Sequence, residues 1–182
     1  MNNKERAKLV RDAMPVYKDW PKQGINYLNT VDICRSPLAF RASLDFFYEC
    51  ACVADVDHIF AADARGFIWA SPIAARIGVP LYTVRKKGKM PGNLISREYE
   101  LEYGTDILEV RNEPVQNGSV LVVDDVLATG GTAEAICKLV HELGVPYGNI
   151  TVACIIDITF LPGKVKLKNL GVNVETLIDV NE

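Results

Sequence analysis

The run Val120-Leu121-Val122-Val123-Asp124-Asp125-Val126-Leu127-Ala128-Thr129-Gly130-Gly131-Thr132 decides how this chain is read. Its first part, residues 120–124, is a strand of almost unbroken apolar character, as expected where both faces of a sheet are covered. After Thr132, the residues Ala133, Ile136, Cys137, Val140 and Leu143 recur at helical spacing, and Gly144 stands where a C′ glycine stops a helix. Ala128, Thr129, Gly130, Gly131 and Thr132 thus open a helix. Exposed amides, two hydroxyls and the positive end of the helix dipole suit a phosphate dianion there. The two glycines let the backbone come close to the ligand. Asp124 and Asp125 would repel a phosphate, so they must serve another group. An ionised Asp only accepts hydrogen bonds, and vicinal sugar hydroxyls are natural donors to it. A phosphate cradle beside hydroxyl acceptors describes a site for ribose 5-phosphate. Taken piecemeal, the same residues are a turn with a capped helix, or an acidic pair for Mg²⁺. The complete run is far more specific than its parts, and no GxxxxGK[ST] is present to make it a kinase-type P-loop.

Working outward, short apolar runs alternate with helical patterns. Residues 58–62, 81–84, 150–156 and 174–178 read as strands, and 67–77 and 164–169 as helices. This order predicts an α/β domain with a parallel sheet. Ligands in such sheets bind beyond the carboxyl ends of the strands, here just after Ala62, Val84 and Val123. Nearer the N-terminus, residues 4–14 are helical up to Pro15 and residues 17–32, rich in Pro, Gly and Asn, are irregular. A second helix covers 40–52. A chain of 182 residues suits one domain with a full core.

Both other strand ends carry cations. Asp63-Ala64-Arg65-Gly66 offers an arginine, a glycine and a helix start, a second anion site or else a salt-bridged turn. Arg85, Lys86, Lys87 and Lys89 run into Met90-Pro91-Gly92, at the ligand end of a strand rather than on an arbitrary solvated loop. The polar segment 88–104 that follows is long enough to be a mobile flap that closes over substrate and excludes water.

Composition narrows the class. A net charge of −3 argues against a nucleic-acid partner, which calls for a basic face. The five cysteines, Cys34, Cys50, Cys52, Cys137 and Cys154, fit neither a zinc site nor a CxxC pair, and read as buried small hydrophobes in a reducing cytosol. The charged N-terminus lacks the apolar run of a signal peptide, and no stretch approaches the roughly 18 apolar residues that span a bilayer. A soluble, cytoplasmic protein with no membrane partner is expected.

The run 120–132 resembles the motif with which type I phosphoribosyltransferases bind phosphoribosyl pyrophosphate (PRPP). Four stretches together make the resemblance specific: Ala61-Ala-Asp-Ala-Arg-Gly-Phe67, Val84-Arg-Lys-Lys-Gly-Lys-Met-Pro-Gly92, Glu98-Tyr-Glu-Leu-Glu-Tyr-Gly104 and Val122-Val-Asp-Asp-Val-Leu-Ala-Thr-Gly-Gly-Thr132. In this order and spacing they are similar to the adenine phosphoribosyltransferase family. The resemblance implies a Rossmann-like parallel sheet flanked by helices, a small N-terminal hood at about 15–35 and the flap at about 88–104. It implies purine salvage, with adenine and PRPP giving AMP and pyrophosphate. Glu102 would be catalytic, moving the proton of the purine nitrogen. Asp124 and Asp125 would hold the ribose hydroxyls, and Ala128, Thr129, Gly130, Gly131 and Thr132 the 5′-phosphate. Asp63, Ala64, Arg65, Arg85, Lys86 and Lys89 would hold pyrophosphate, with Mg²⁺ bound mainly by PRPP itself. Val126 would cover one face of the base. A homodimer is implied as well.

The base-binding segment departs from the family pattern. Where the family reads Pro-Gly, two apolar residues and Phe-Arg-Asp-Ile, this chain has Gln23-Gly24-Ile25-Asn26-Tyr27-Leu28-Asn29-Thr30. Tyr27 keeps an aromatic that can stack on a purine, and Asn26 can still present its backbone to the base edge. Leu28 and Asn29 replace the Arg-Asp pair, and Aromatic-Leu-Asn is reminiscent of xanthine phosphoribosyltransferase. Ile158 is apolar where xanthine-type enzymes carry lysine, which favours adenine. Transfer to a 6-oxopurine (hypoxanthine, guanine or xanthine) is the alternative specificity. A PRPP-sensing regulator is the alternative class, disfavoured by the retained Glu102 and the absence of surplus positive charge.

Overall fold

The structure is a computed structural model and describes residues 1–20, 22–24, 26–100, 104–115 and 118–181. It divides into two compact units, residues 1–46 and 47–182.

The first unit begins with α1 (Asn3–Asp12), whose start is fixed by a capping box: Asn2 accepts from the Glu5 N–H and Glu5 accepts from the Asn2 N–H. Two short strands follow, β1 (Val16–Lys18) and β2 (Asn26–Leu28), paired antiparallel with Tyr17 opposite Tyr27. A 3-10 turn over Thr30–Arg35 leads into α2 (Pro37–Val53), which runs on into the second unit. The sequence predicts an irregular segment over 17–32. Two strands of three residues are too short to show a period in the pattern, so their pairing is invisible until the partner is known.

The second unit carries the alternation read from the sequence. In chain order it contains β3 (Val56–Ala62), α3 (Gly66–Ile77), β4 (Leu81–Lys86), β5 (Leu94–Glu100), β6 (Thr105–Arg111), β7 (Ser119–Leu127), α4 (Gly131–Glu142), β8 (Ile150–Ile158), α5 (Gly163–Leu170) and β9 (Asn173–Val180). The strands form one sheet in the order β5-β6-β4-β3-β7-β8-β9. The five strands from β4 to β9 along that order are parallel, and β5 and β6 add an antiparallel edge to β4. Residues of β7 and β8 are buried at nearly every position, which explains their unbroken apolar runs: helices cover both faces. Trp69, Phe60, Leu121, Ile136 and Leu139 are among the largest fully buried side chains.

The strand order puts β7 beside β3, with Ala61 opposite Val123. It puts β4 on the other side of β3, with Ala62 opposite Val84. All three strand ends singled out in the sequence therefore meet at one edge. The sequence predicts no strand in the polar segment 88–104, yet β5 (Leu94–Glu100) lies within it and pairs with β6 from Leu94–Arg111 to Glu100–Thr105. Its charges hid it, yet charged residues are normal on a strand with only one neighbour. Among the described residues no helix is long and apolar enough to cross a membrane.

The cysteines fall where the sequence puts most of them. Cys50, Cys137 and Cys154 are buried, Cys34 is half-buried and Cys52 is exposed. Burial pushes the Cys137 thiol up to about 12, helped by the charge of Glu134, and raises Cys154 too. Since the thiolate is the nucleophile, iodoacetamide at pH 8 should label Cys52 in the native protein. It should label Cys137 and Cys154 only after denaturation. Rapid native labelling of Cys137, read by mass spectrometry, would contradict this core.

Candidate active site

The site is built on the end of β7. The strand runs past Val123 to Leu127, so Asp124 and Asp125 are still strand residues. Consecutive side chains on a strand point to opposite faces. Asp125 is accordingly fully buried, whereas Asp124 is half-exposed. The two carboxylates are tied locally, the Asp125 N–H donating to Asp124 Oδ1 at 2.9 Å. Desolvation holds the Asp124 carboxyl well above the usual carboxylate range, and the nearby charge of Asp125 adds to this. A ligand that donates hydrogen bonds, or brings a cation, would offset that cost.

After Leu127 the chain turns through Ala128 and Thr129, and Gly130 opens α4 with φ of 79°, in the left-handed region. Gly131 and Thr132 form the first turn of α4, and the N–H of Glu134 closes onto the Gly130 carbonyl at 2.8 Å. The helix-start amides are thus presented at the strand's carboxyl end, and Thr132 adds a half-exposed side chain. The turn is braced from behind by Gly163, at the start of α5. Its N–H donates to the Ala128 carbonyl at 3.1 Å, and a Cβ on Gly130 would stand 2.8 Å from the Gly163 Cα. Any side chain at either position would drive the two backbones apart.

The cations of the neighbouring strand ends arrive already paired. Arg65, at the start of α3, places Nε 2.9 Å from Asp125 Oδ2, joining a 42% exposed side chain to one only 1% exposed. Arg85 Nε lies 3.1 Å from Asp63 Oδ2, while the Asp63 N–H donates to the Val84 carbonyl at 3.0 Å. Lys86 Nζ lies 2.9 Å from Asp106 Oδ2 on β6. The hydrogen bond from Lys86 holds the Asp106 carboxyl below its ordinary range, and the same contact raises Lys86, so both remain charged at neutral pH. Lys89 is exposed in the turn after β4, its N–H on the Lys86 carbonyl at 3.2 Å. Gly66 allows α3 to start against β7, since a Cβ there would meet the Val123 carbonyl oxygen at 2.5 Å. The peptide between Asp63 and Ala64 is cis.

Sequence reasoning named the residues at these three strand ends, and the fold gathers them. It did not find Asp106 or Gly163. Asp106 is one acidic residue among many, and only the β4–β6 pairing brings it to Lys86. Pro162-Gly163 carried a turn signal, but nothing said which backbone the glycine would meet. Val126 follows Asp125 on β7, half-buried and opposite Ile156. In the first unit, Tyr27 packs against Trp20 with ring centroids 4.4 Å apart, and Asn26 is exposed on β2. Glu102 lies outside the described residues.

An Asp-Asp strand end leading into an amide-rich helix start, with cations on the two strands alongside, is the arrangement expected from the resemblance to phosphoribosyltransferases. Residues 50–164 match the family model of the phosphoribosyl transferase domain. The chain is 38% identical over 180 residues to adenine phosphoribosyltransferase of Yersinia enterocolitica, covering 98% of this chain and 95% of that one. Its structure is similar to that of adenine phosphoribosyltransferase from Thermoanaerobacter pseudethanolicus, with a TM-score of 0.86 at 36% identity over 96% of this chain and 99% of the other. It is similar also to the Giardia lamblia enzyme complexed with 9-deazaadenine, with a TM-score of 0.88 at 27% identity over 100% and 99% of the two chains. The chain belongs to the adenine phosphoribosyltransferase family, and it is a phosphoribosyltransferase enzyme.

The backbone contact beneath the cradle gives a test remote from the motif. Gly163→Ala should cost about 1–3 kcal/mol in urea unfolding, the range of overpacking, and weaken PRPP binding. Gly148→Ala, where a Cβ would meet nothing within 4 Å, should change stability by less than about 0.5 kcal/mol. Equal effects at the two glycines would contradict the geometry.

Proposed function

We propose that this enzyme transfers the 5-phosphoribosyl group of PRPP to N9 of adenine, giving AMP and pyrophosphate in purine salvage. The observation that carries the reading is the Asp124-to-Thr132 turn: acceptors for sugar hydroxyls and donors for a phosphate, adjacent at one strand end. Membership of the family supports adenine as the base.

The 5′-phosphate takes the amides and hydroxyls of Ala128, Thr129, Gly130, Gly131 and Thr132, as anions do at helix starts. Asp124 and Asp125 accept from the ribose hydroxyls, Asp125 while also holding Arg65. Arg65, Arg85, Lys86 and Lys89, with the Asp63-Ala64 segment, receive pyrophosphate. Pre-pairing with Asp125, Asp63 and Asp106 fixes the first three cations in place before the ligand arrives, so little reorganisation is left to the moment of reaction.

Bond making and breaking balance simply. As the C1′–oxygen bond to pyrophosphate breaks, positive charge develops at C1′ and the ring oxygen. N9 of adenine forms the new C1′–N9 bond and loses its proton to Glu102. Pyrophosphate leaves with the bonding electron pair. Asn26 and Tyr27 are proposed to bind the base, Tyr27 by stacking and Asn26 through its backbone; Val126 is proposed to cover one face of the base.

Mg²⁺ would be held mainly by PRPP itself. Among the described residues no three His, Cys, Asp or Glu side chains are grouped to hold a metal. A half-exposed Asp124 whose ionisation is opposed by Asp125 fits a cation that comes bound to the ligand. The ion would neutralise part of the pyrophosphate charge. A cytoplasmic homodimer acting on small molecules, without nucleic acid or membrane, completes the reading.

Pyrophosphate release from PRPP with a panel of bases should be fastest with adenine. Faster release with hypoxanthine, guanine or xanthine would move the assignment to a 6-oxopurine, through Leu28 and Asn29. Glu102→Gln should lower turnover by about 10²–10⁴-fold, the usual worth of positioned acid–base help, and leave PRPP affinity nearly intact. Turnover at the wild-type rate would refute the proton-transfer role.

A further inference from the structure

A buried carboxylate, Asp157, stands one strand away from the β7–α4 turn. It sits near the end of β8, opposite Leu127, the last residue of β7, and its side chain is only 2% exposed. Among the described residues, neither of its oxygens accepts a hydrogen bond of good geometry. What faces it is the ammonium of Lys164, with Nζ 3.1 Å from Asp157 Oδ2. That ammonium also donates to Thr176 Oγ1 at 3.0 Å and lies 4.0 Å from Asp179 Oδ1. Asp157 is opposite Asp179 in the β8–β9 ladder, so one lysine of α5 spans the ends of two strands.

A carboxylate this deeply buried is costly to desolvate and stays charged only where a partner compensates it. The compensation is also a constraint. Lys164 is the second residue of α5 and directly follows Gly163. Gly163 is the residue whose N–H donates to the Ala128 carbonyl at 3.1 Å and whose Cα would stand 2.8 Å from a Cβ on Gly130. Compensating the buried charge therefore sets where the first turn of α5 lies. That turn in turn sets how closely the backbone of residues 128–130 is held. An exposed ion pair would contribute little to such placement. A pair with one member buried has more at stake, because loss of the lysine leaves an uncompensated charge.

We infer that Asp157 and Lys164 are positioning residues for PRPP: their ion pair seats the first turn of α5 so that Gly163 holds the Ala128-to-Gly130 backbone in its phosphate-binding shape. This rests on the placing of the 5′-phosphate at residues 128–132. Both side chains act through Gly163 rather than on the ligand itself. Strands β8 and β9, which carry none of the motif, thereby take part in phosphate binding.

Two readouts separate positioning from plain stability. One is PRPP affinity by calorimetric titration with Mg²⁺, together with kcat and KM; the other is hydrogen exchange of the Gly163 amide, followed by NMR. Asp157→Asn keeps the size of the side chain and leaves Lys164 with Thr176, Asp179 and solvent, so the variant should fold. It should raise the PRPP dissociation constant and KM by about two- to thirtyfold, the range for residues that modulate binding without contact, with kcat changed less than about twofold. Exchange of the Gly163 amide should become at least about tenfold faster. Lys164→Met, which strands the buried charge, should weaken PRPP further, and adding Asp157→Asn to it should bring affinity back toward that of Asp157→Asn alone. Additive losses in the double variant would overturn the inference, as would unchanged Gly163 exchange in Asp157→Asn or a fall in kcat at unchanged affinity. Faster Gly163 exchange with wild-type PRPP affinity would overturn it too, and would refute the placing of the phosphate. If Lys164→Met does not fold, Asp157→Asn decides alone.

Discussion

Backbone N–H groups can converge on a phosphate only where the chain may fold tightly against its surroundings, and two glycines meet that condition here. Gly130 takes a left-handed conformation at the start of α4, and Gly163 presses against Ala128 and Gly130 from the start of α5. Backbone touches backbone, with no side chain between. The β7–α4 turn is therefore held in shape by the next strand–helix unit, not by its own sequence alone. Every other part of the site is arranged around this fixed point. Asp124 and Asp125 precede it on the same strand, and the cations stand on β3 and β4 alongside.

Charge is distributed around the turn in compensated pairs. The buried Asp125 is matched by Arg65, the half-buried Asp63 by Arg85, and Asp106 by Lys86. The Arg85 and Lys86 pairs are exposed enough that their ionic attraction contributes little to stability. Their value is positional. Asp124 stands apart, half-exposed and hard to ionise beside its neighbour. Among these carboxylates it is the one whose charge is most readily completed by an incoming ligand. This asymmetry between adjacent aspartates follows from strand alternation, which turns one fully inward to an arginine and leaves the other only half-buried.

The sequence was informative wherever chemistry and element type are written locally. The apolar run 120–123, the Asp-Asp pair and the glycine-rich helix start are contiguous, so the fold class and the proposed phosphate site could be read from one stretch. The residue sets at Asp63–Gly66 and Arg85–Lys89 were legible for the same reason, each following a strand. Relations between distant segments were not legible. Asp106 matters because β6 pairs with β4, and Gly163 because α5 returns to β7; no periodicity encodes those meetings. β5 itself was concealed because Arg97, Glu98 and Glu100 break the apolar pattern expected of a strand. The segment proposed to bind the base was hardest to read, since Leu28 and Asn29 leave the family pattern there.

A crystal structure with ribose 5-phosphate bound is the most direct test of the central claim. The account predicts the phosphate within hydrogen-bond distance of the amides and hydroxyls of residues 128–132, with the ring hydroxyls turned to Asp124. A phosphate seated instead between Arg65 and Arg85, with the β7–α4 turn empty, would contradict it.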